Sequence, residues 1–293
     1  MQAAATSQEG RDTDADWREL GATQPYWGVL THADYRTENL TPANLEAFYA
    51  SGDTHIADIV RRLTIITGKP PGGRALDFGC GAGRLARAMC DHAGPVIGYD
   101  ISPGMLAEAR KRGGKATYVD ALPDGPFDWI NSFIVFQHIA PTRGLAILED
   151  LLARLADDGV VSLHLTVWRD ARVTPPAPRG WRRLAGPLLA RLRLARLKPG
   201  AILMYDYDLS PVVRVLNKSG VADLTLVATD HGGHHGVILL GRKTCQPHAT
   251  QSPARGPRHG RTRPAEELPR PEGPPSPGPG RRGQDQDLPR LPL

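Results

Sequence analysis

Leu76-Asp77-Phe78-Gly79-Cys80-Gly81-Ala82-Gly83-Arg84 is the stretch that decides how this chain reads. A short apolar run, Arg74 to Phe78, ends in a turn carrying three glycines, and a helical pattern from Arg84 to His92 follows at once. Glycines let a backbone turn tightly and come close to a ligand. The helix start adds free N–H groups and a partial positive charge. A strand, glycine turn and helix in that order place a nucleotide-like ligand at the carboxyl end of a parallel strand.

The spacing narrows the ligand. Gly79-x-Gly81-x-Gly83 puts its third glycine one position earlier than the dinucleotide pattern GxGxxG requires. Asp77 stands two residues before the first glycine, where a carboxylate repels a pyrophosphate but suits an ammonium group. A second apolar run, Val96 to Asp100, ends in an acid 21 residues after Gly79, a position from which a carboxylate accepts hydrogen bonds from a ribose diol. A third, Ala116 to Val119, ends in Asp120, set to accept from an exocyclic amine. Three acids at three successive strand ends match a cationic amino-acid nucleoside, not a polyphosphate.

Outward from this point, apolar runs alternate with helical stretches. Pro103–Lys111 and Gly144–Leu155 read as helices, and Phe127–Phe136 and Gly159–Val167 as further strands. Strands separated by helices of about ten residues imply right-handed crossovers and a parallel sheet. A helix from Ser210-Pro211 to Lys218 is followed by strands at 223–229 and 237–242, joined by the turn His231-Gly232-Gly233-His234-His235-Gly236. That is a hairpin. The expected fold is therefore α/β, a doubly wound, mostly parallel seven-stranded sheet closed by an antiparallel hairpin.

These features together resemble the class I S-adenosylmethionine (AdoMet)-dependent methyltransferases, over about residues 40–243. The glycine motif, Asp100, Asp120-Ala121 and Phe136-Gln137-His138-Ile139 stand where that family places its cofactor contacts. The resemblance implies a methionyl part held at Asp77, Gly79, Cys80, Gly81, Gly83 and Arg84, a ribose at Asp100, and neighbouring contacts at Ile101, Met105, Asp120, Ala121 and Phe136. It also implies a stand-alone bacterial small-molecule enzyme. The fourth strand then ends beside the transferred methyl group, which makes His138 the expected general base where the acceptor carries a proton. Cys80 reads as a small residue filling the turn.

The flanks divide the chain further. Residues 1–16 are polar and read as disordered, and residues 17–70 as a helical cap. Thr41-Pro42 starts one helix there, and Asp53 or Thr54 caps a second. Tyr26 and Trp27 are expected lid residues; Tyr205 and His231 are expected at the acceptor. The domain spans 71–243, with a basic, leucine-rich insertion at 170–200 read as an amphipathic helix over the cleft. Residues 244–293 read as a disordered tail: the last 49 positions hold 12 of the 27 prolines. That tail carries eight Arg and five acids, so it supplies +3 of the net charge of +5, and basicity says little about the site.

Three widely spaced cysteines give neither a disulfide framework nor a metal pair, and no metal is expected at the histidines of the hairpin turn. No apolar run is long enough to span a membrane, and the first residues lack a signal's apolar core, so a cytoplasmic protein is expected. The expected acceptor is a small molecule. An RNA or protein acceptor is the alternative, favoured by the basic helix and opposed by the lack of any flanking RNA-binding module. A non-catalytic AdoMet-binding protein shares the same motif, whereas glycine spacing and Asp77 oppose an NAD-dependent oxidoreductase. Acceptor atom and oligomeric state are left open.

Overall fold

The computed structural model describes residues 13–173 and 202–244. The basic insertion, save residues 170–173, and all but residue 244 of the tail lie outside the described residues. Seven strands, β1 (Ala75–Phe78), β2 (Val96–Tyr99), β3 (Thr117–Val119), β4 (Phe127–Ser132), β5 (Leu155–Arg169), β6 (Val221–His231) and β7 (His234–Lys243), form one sheet in the order β3-β2-β1-β4-β5-β7-β6. The first five run parallel; β7 is antiparallel to both β5 and β6. This is the doubly wound sheet with a closing hairpin that the sequence pattern predicts. The hairpin turn is tighter than the sequence suggests. His231 pairs with His234, so only Gly232 and Gly233 form the loop, both at positive φ. Two glycines supply the primed turn that matches strand twist.

Helices α1 (Thr13–Thr23), α2 (Pro25–Val29) and α3 (Pro42–Thr67) precede the sheet, and α4 (Arg84–Met89), α5 (Pro103–Arg112), α6 (Pro141–Ala153) and α7 (Leu209–Lys218) lie between strands. Three boundaries correct the sequence reading. Residues 13–16 belong to α1. The two helices expected within 41–63 are one 26-residue helix. Thr41 does cap it, accepting from Asn44 N at 3.1 Å, but Asp53 reaches out to Arg87 at 2.6 Å and Thr54 donates back to the Ala50 carbonyl, so neither caps a new start. β4 stops at Ser132, and Phe136–His138 forms a 3-10 turn instead of extending it.

The main core packs α6 and α7, through Leu148, Leu151, Leu152, Val212 and Leu216, against the inner strands. Its strand residues, among them Leu76, Ile130, Val161 and Leu163, are near-continuous apolar runs, as strands buried on both faces require. Polar residues interrupt them in one row. Asp77, Asn131 and Ser162 are register neighbours on β1, β4 and β5. Trp129 Nε1 donates to Ser162 Oγ (2.9 Å), Ser162 Oγ donates to Asn131 Oδ1 (2.6 Å), and Asn131 Nδ2 donates to Asp77 Oδ1 (2.8 Å). Buried polar groups persist only when hydrogen-bonded, and here the chain of bonds aims one carboxylate at the end of β1.

Candidate active site

A cavity of about 280 Å³ opens at the carboxyl ends of β1, β2 and β4. The glycine loop forms its floor. Gly79 (φ +74°), Gly81 (φ +52°) and Gly83 (φ +80°) all adopt the left-handed region. A Cβ on Gly79 would run into the Val135 side chain, and one on Gly81 would stand 2.8 Å from Val29 Cγ2. Both glycines line the cavity, so the bare backbone shapes it.

Asp100 lines the same cavity and pins the loop. Its Oδ2 accepts from Gly81 N at 2.9 Å and its Oδ1 from Ser102 N at 2.8 Å. Burial raises the Asp100 pKa above the usual carboxylate range, and the two N–H donors oppose that shift. Each oxygen keeps a second lone pair for a ligand.

Asp77 lies deeper. Burial pushes its pKa up to about 6, against the pull of the Asn131 amide and the Arg84 guanidinium. Asn131 occupies Oδ1, while Oδ2 is buried with no hydrogen-bond partner among the described residues. Asp77 is not among the residues that line the cavity, so its free oxygen stands behind the glycine loop as an acceptor for a cationic donor that reaches past it. Arg84 is buried too; burial lowers its pKa to about 10, and Asp77 opposes that. Arg84 Nη1 donates to Ser51 Oγ at 3.2 Å, and its Nε has no hydrogen-bond partner.

The other expected contacts divide. Ile101 and Met105 line the cavity. Asp120 and Ala121 follow the end of β3, are exposed and lie outside the cavity lining; Leu122, the next residue, is the one that lines it. Cys80 and Gly83 support the loop from behind. Burial pushes the Cys80 thiol pKa up, so the sulfur is an inert packing atom. A Cβ at Gly83 would sit 2.5 Å from the Tyr118 hydroxyl. Phe136 is core, stacked on Phe78 at 6.0 Å between centroids.

His138 does reach the cavity. It is held at three points: its Nδ1 lies 2.8 Å from the Leu203 carbonyl, its Nε2 lies 3.2 Å from Gln137 Nε2, and its ring meets Trp17 edge-on at 4.6 Å. Thr166 Oγ1 donates to Gln137 Oε1 at 2.6 Å, which turns the Gln137 amide nitrogen toward His138. The carbonyl can only accept, so Nδ1 carries the proton and Nε2 takes the amide hydrogen. Burial lowers the His138 pKa to about 4, leaving the ring neutral.

Tyr26 and Trp27, the expected lid residues, do not line the cavity. Tyr26 is buried in a cluster with Phe48 and Tyr49 and donates to Glu108 at 2.8 Å. Trp27 lies under the Arg36 guanidinium, 4.3 Å away. The N-terminal residues that do line it are Thr13, Asp14 and Trp17 of α1 and Gly28 and Val29 of α2. Arg143 of α6 closes the rim through an ion pair to Asp14 at 2.7 Å. Tyr205 is buried in the core, its N–H donating to the Gln137 carbonyl at 2.6 Å. His231 sits against Phe133, which lines the cavity. Among the described residues no three His, Cys, Asp or Glu side chains are arranged to hold a metal ion.

Residues 75–159 match the family model described as a methyltransferase domain. Residues 75–159 are thus similar to methyltransferase domains, and the sheet has the fold of AdoMet-dependent methyltransferases. AdoMet would be the cofactor of such a domain, and the residues here fit it: an unmet buried carboxylate oxygen at Asp77, the Asp100 carboxylate in the cavity wall, and a glycine cradle that any Cβ would fill. The fold matches magnesium protoporphyrin IX methyltransferase from Synechocystis PCC 6803 with bound S-adenosylhomocysteine (AdoHcy) at a TM-score of 0.53 and 18% identity, covering 80% of this chain and 100% of that one. The same enzyme with bound AdoMet gives 0.53 and 16%, covering 80% and 99%. By sequence, ribosomal protein L11 methyltransferase from Burkholderia cenocepacia is 34% identical over 138 residues, 40% of this chain and 43% of the relative. The Burkholderia vietnamiensis protein of the same name is likewise 34% identical over 138 residues. The match thus spans less than half the length of these curated relatives.

Proposed function

We propose that this chain transfers the methyl group of AdoMet to a small-molecule acceptor. The observation that carries the reading is the covered cavity: α1 and α2 lie across the ends of β1, β2 and β4, tied down by the Arg143–Asp14 pair. A site roofed by its own chain suits a ligand that enters whole better than a folded partner.

In such a transfer the acceptor's lone pair bonds to the methyl carbon, the C–S bond breaks with its electrons left on sulfur, and a protic acceptor loses its proton. The donor is already activated, so the protein supplies alignment and a dry site. Asp77 and the glycine loop would hold the methionyl part, and Asp100 the ribose hydroxyls. Ile101, Met105 and Leu122 offer apolar walls for the base. His138 acts in this reading as a neutral positioning residue at the cavity wall, because its Nε2 lone pair is taken by Gln137.

A protein acceptor is the second reading, favoured by the 34% identity to ribosomal protein methyltransferases. Two experiments test the proposal. Thermal unfolding with AdoHcy at 100 times its dissociation constant should add about 2.7 kcal/mol, roughly 5–10 °C for a domain of this size; NAD should add nothing. Isotope-labelled AdoMet is then offered with a cell ultrafiltrate or with ribosomal proteins. Label entering the small-molecule fraction supports the proposal, and label confined to protein refutes it.

A further inference from the structure

Arg84 opens α4 and lines the cavity next to the glycine loop, yet it is only 5% exposed. α3 holds it in place. Gly52 of α3 lies so close that a Cβ there would stand 2.9 Å from Arg84 Cγ and 2.5 Å from the Arg84 carbonyl oxygen. The stem is therefore fixed, and the guanidinium stays at the cavity wall.

A guanidinium offers five N–H donors. Among the described residues Arg84 makes one hydrogen bond, from Nη1 to Ser51 Oγ at 3.2 Å, and no ion pair. Its Nε is buried without a partner. Asp77 attracts it from behind the glycine loop but does not bond to it. Arg143, the other arginine in the cavity wall, is paired with Asp14. The carboxylates of that wall are engaged as well: Asp14 by Arg143, Asp150 by Arg154, and Asp100 by the N–H groups of Gly81 and Ser102. A charge taken out of water without an opposite charge is unfavourable. A guanidinium left unpaired at the wall of an open cavity needs an anion that enters the cavity.

We infer that Arg84 is a carboxylate seat, and that a small molecule filling this cavity presents a carboxylate to its guanidinium. The inference rests on the methyltransferase reading above and adds the charge and chemical class of one end of the ligand. The planar fork of a guanidinium matches a carboxylate through two parallel bonds. A phosphate dianion fits less well, because Asp100 shares the wall and repels a second negative charge. Two molecules can bring the carboxylate: the cofactor, through its amino-acid end, or the acceptor.

The test is isothermal titration of the full chain, wild type and Arg84→Met, with AdoHcy and with 5′-methylthioadenosine, which shares the nucleoside and the sulfur but has no amino-acid end. Benzoate and benzyl alcohol are then titrated into the AdoHcy-saturated proteins. AdoHcy affinity about tenfold lower in Arg84→Met, 1.4 kcal/mol, with 5′-methylthioadenosine unchanged, supports the inference and gives the seat to the cofactor. Unchanged AdoHcy affinity with benzoate binding lost and benzyl alcohol unaffected supports it and gives the seat to the acceptor. AdoHcy affinity equal in both proteins, with benzoate binding equal or absent in both, overturns it. If Arg84→Met fails to fold and binds nothing, Arg84→Lys decides, because it keeps the charge and loses the fork. Weaker AdoHcy or benzoate binding against unchanged 5′-methylthioadenosine then supports the seat, and equal affinities overturn it. Each of these overturning results leaves the methyltransferase reading intact; a wild type that binds neither AdoHcy nor 5′-methylthioadenosine overturns both.

Discussion

Replacing Asp100 by Asn tests the centre of the site, because the carboxylate pins the glycine loop and, in the proposed function, would also hold the ribose. Its oxygens accept from Gly81 N and Ser102 N, at 2.9 and 2.8 Å. Asn retains one acceptor oxygen and presents an NH₂ group to the other N–H, so one bond becomes a donor–donor clash. A hydrogen bond to a charged group contributes about 1.5–3 kcal/mol. Burial raises the pKa of Asp100, so removing the charge returns part of that loss. The expected net cost to the unliganded protein is about 1–2 kcal/mol, roughly 2–8 °C in Tm. The effect on the liganded protein should be larger. The loop slackens and the ribose acceptors are halved, so AdoHcy affinity should fall at least about tenfold. Differential scanning fluorimetry gives the first quantity and isothermal titration the second. A lowered Tm with unchanged AdoHcy affinity would refute the ribose assignment and leave Asp100 as a structural pin. If neither quantity moved, the reasoning about the loop would fail as well.

Asp77 gives a pH signature. Its folded pKa of about 6 lies above the reference of 3.8, so its favourable contribution is complete below about pH 4 and is lost as pH rises past 6. Two units correspond to about 3 kcal/mol; urea unfolding from pH 4 to 7 should therefore show a steeper decline in the wild type than in Asp77→Asn, and parallel curves would refute the assignment. Gly79→Ala combines a left-handed backbone with a collision against Val135, whereas Gly68→Ala, φ +76°, meets nothing within 4 Å. Gly68→Ala should cost about 1 kcal/mol and Gly79→Ala about 2–4 kcal/mol with loss of AdoHcy binding; equal costs in denaturant titrations would count against the cradle. Trp17→Ala removes the ring that covers the cavity and braces His138. AdoHcy dissociation in stopped flow should speed up about tenfold, and an unchanged rate would remove α1 as the lid.

The sheet was legible because its determinants are local. The parallel strands before β5 are short runs, mostly apolar, each crossover helix has its own period, and Gly79-x-Gly81-x-Gly83 marks the point where the chain must turn sharply. Asp77 and Asp100 were legible for the same reason: distance along the chain from that turn fixes which strand ends they occupy. The three strand-end acids did not prove equivalent. Asp120 follows a three-residue edge strand and is exposed, while Leu122 faces the cavity. The direction of a residue just past a strand depends on how the loop packs, which the local pattern does not record.

The lid and the polar relays belong wholly to the tertiary structure. Pro25-Tyr26-Trp27 looked like a cover because it is aromatic, yet Phe48, Tyr49 and Glu108, remote in sequence, bury Tyr26 elsewhere and leave Trp17 over the site. Asn131 and Ser162 are unremarkable letters until strand register lines them up with Asp77. His55, His164 and His231 stand on a helix and two strands, with 108 residues between the first two, and only the closed sheet gathers them around Phe133. The sequence by itself determined the glycine turn at the end of β1, because a strand, a glycine turn and a helix are consecutive along the chain. Only the tertiary structure decided which N-terminal residues line the cavity and which buried bonds orient Asp77, because those contacts join segments whose proximity depends on register and packing across the whole sheet.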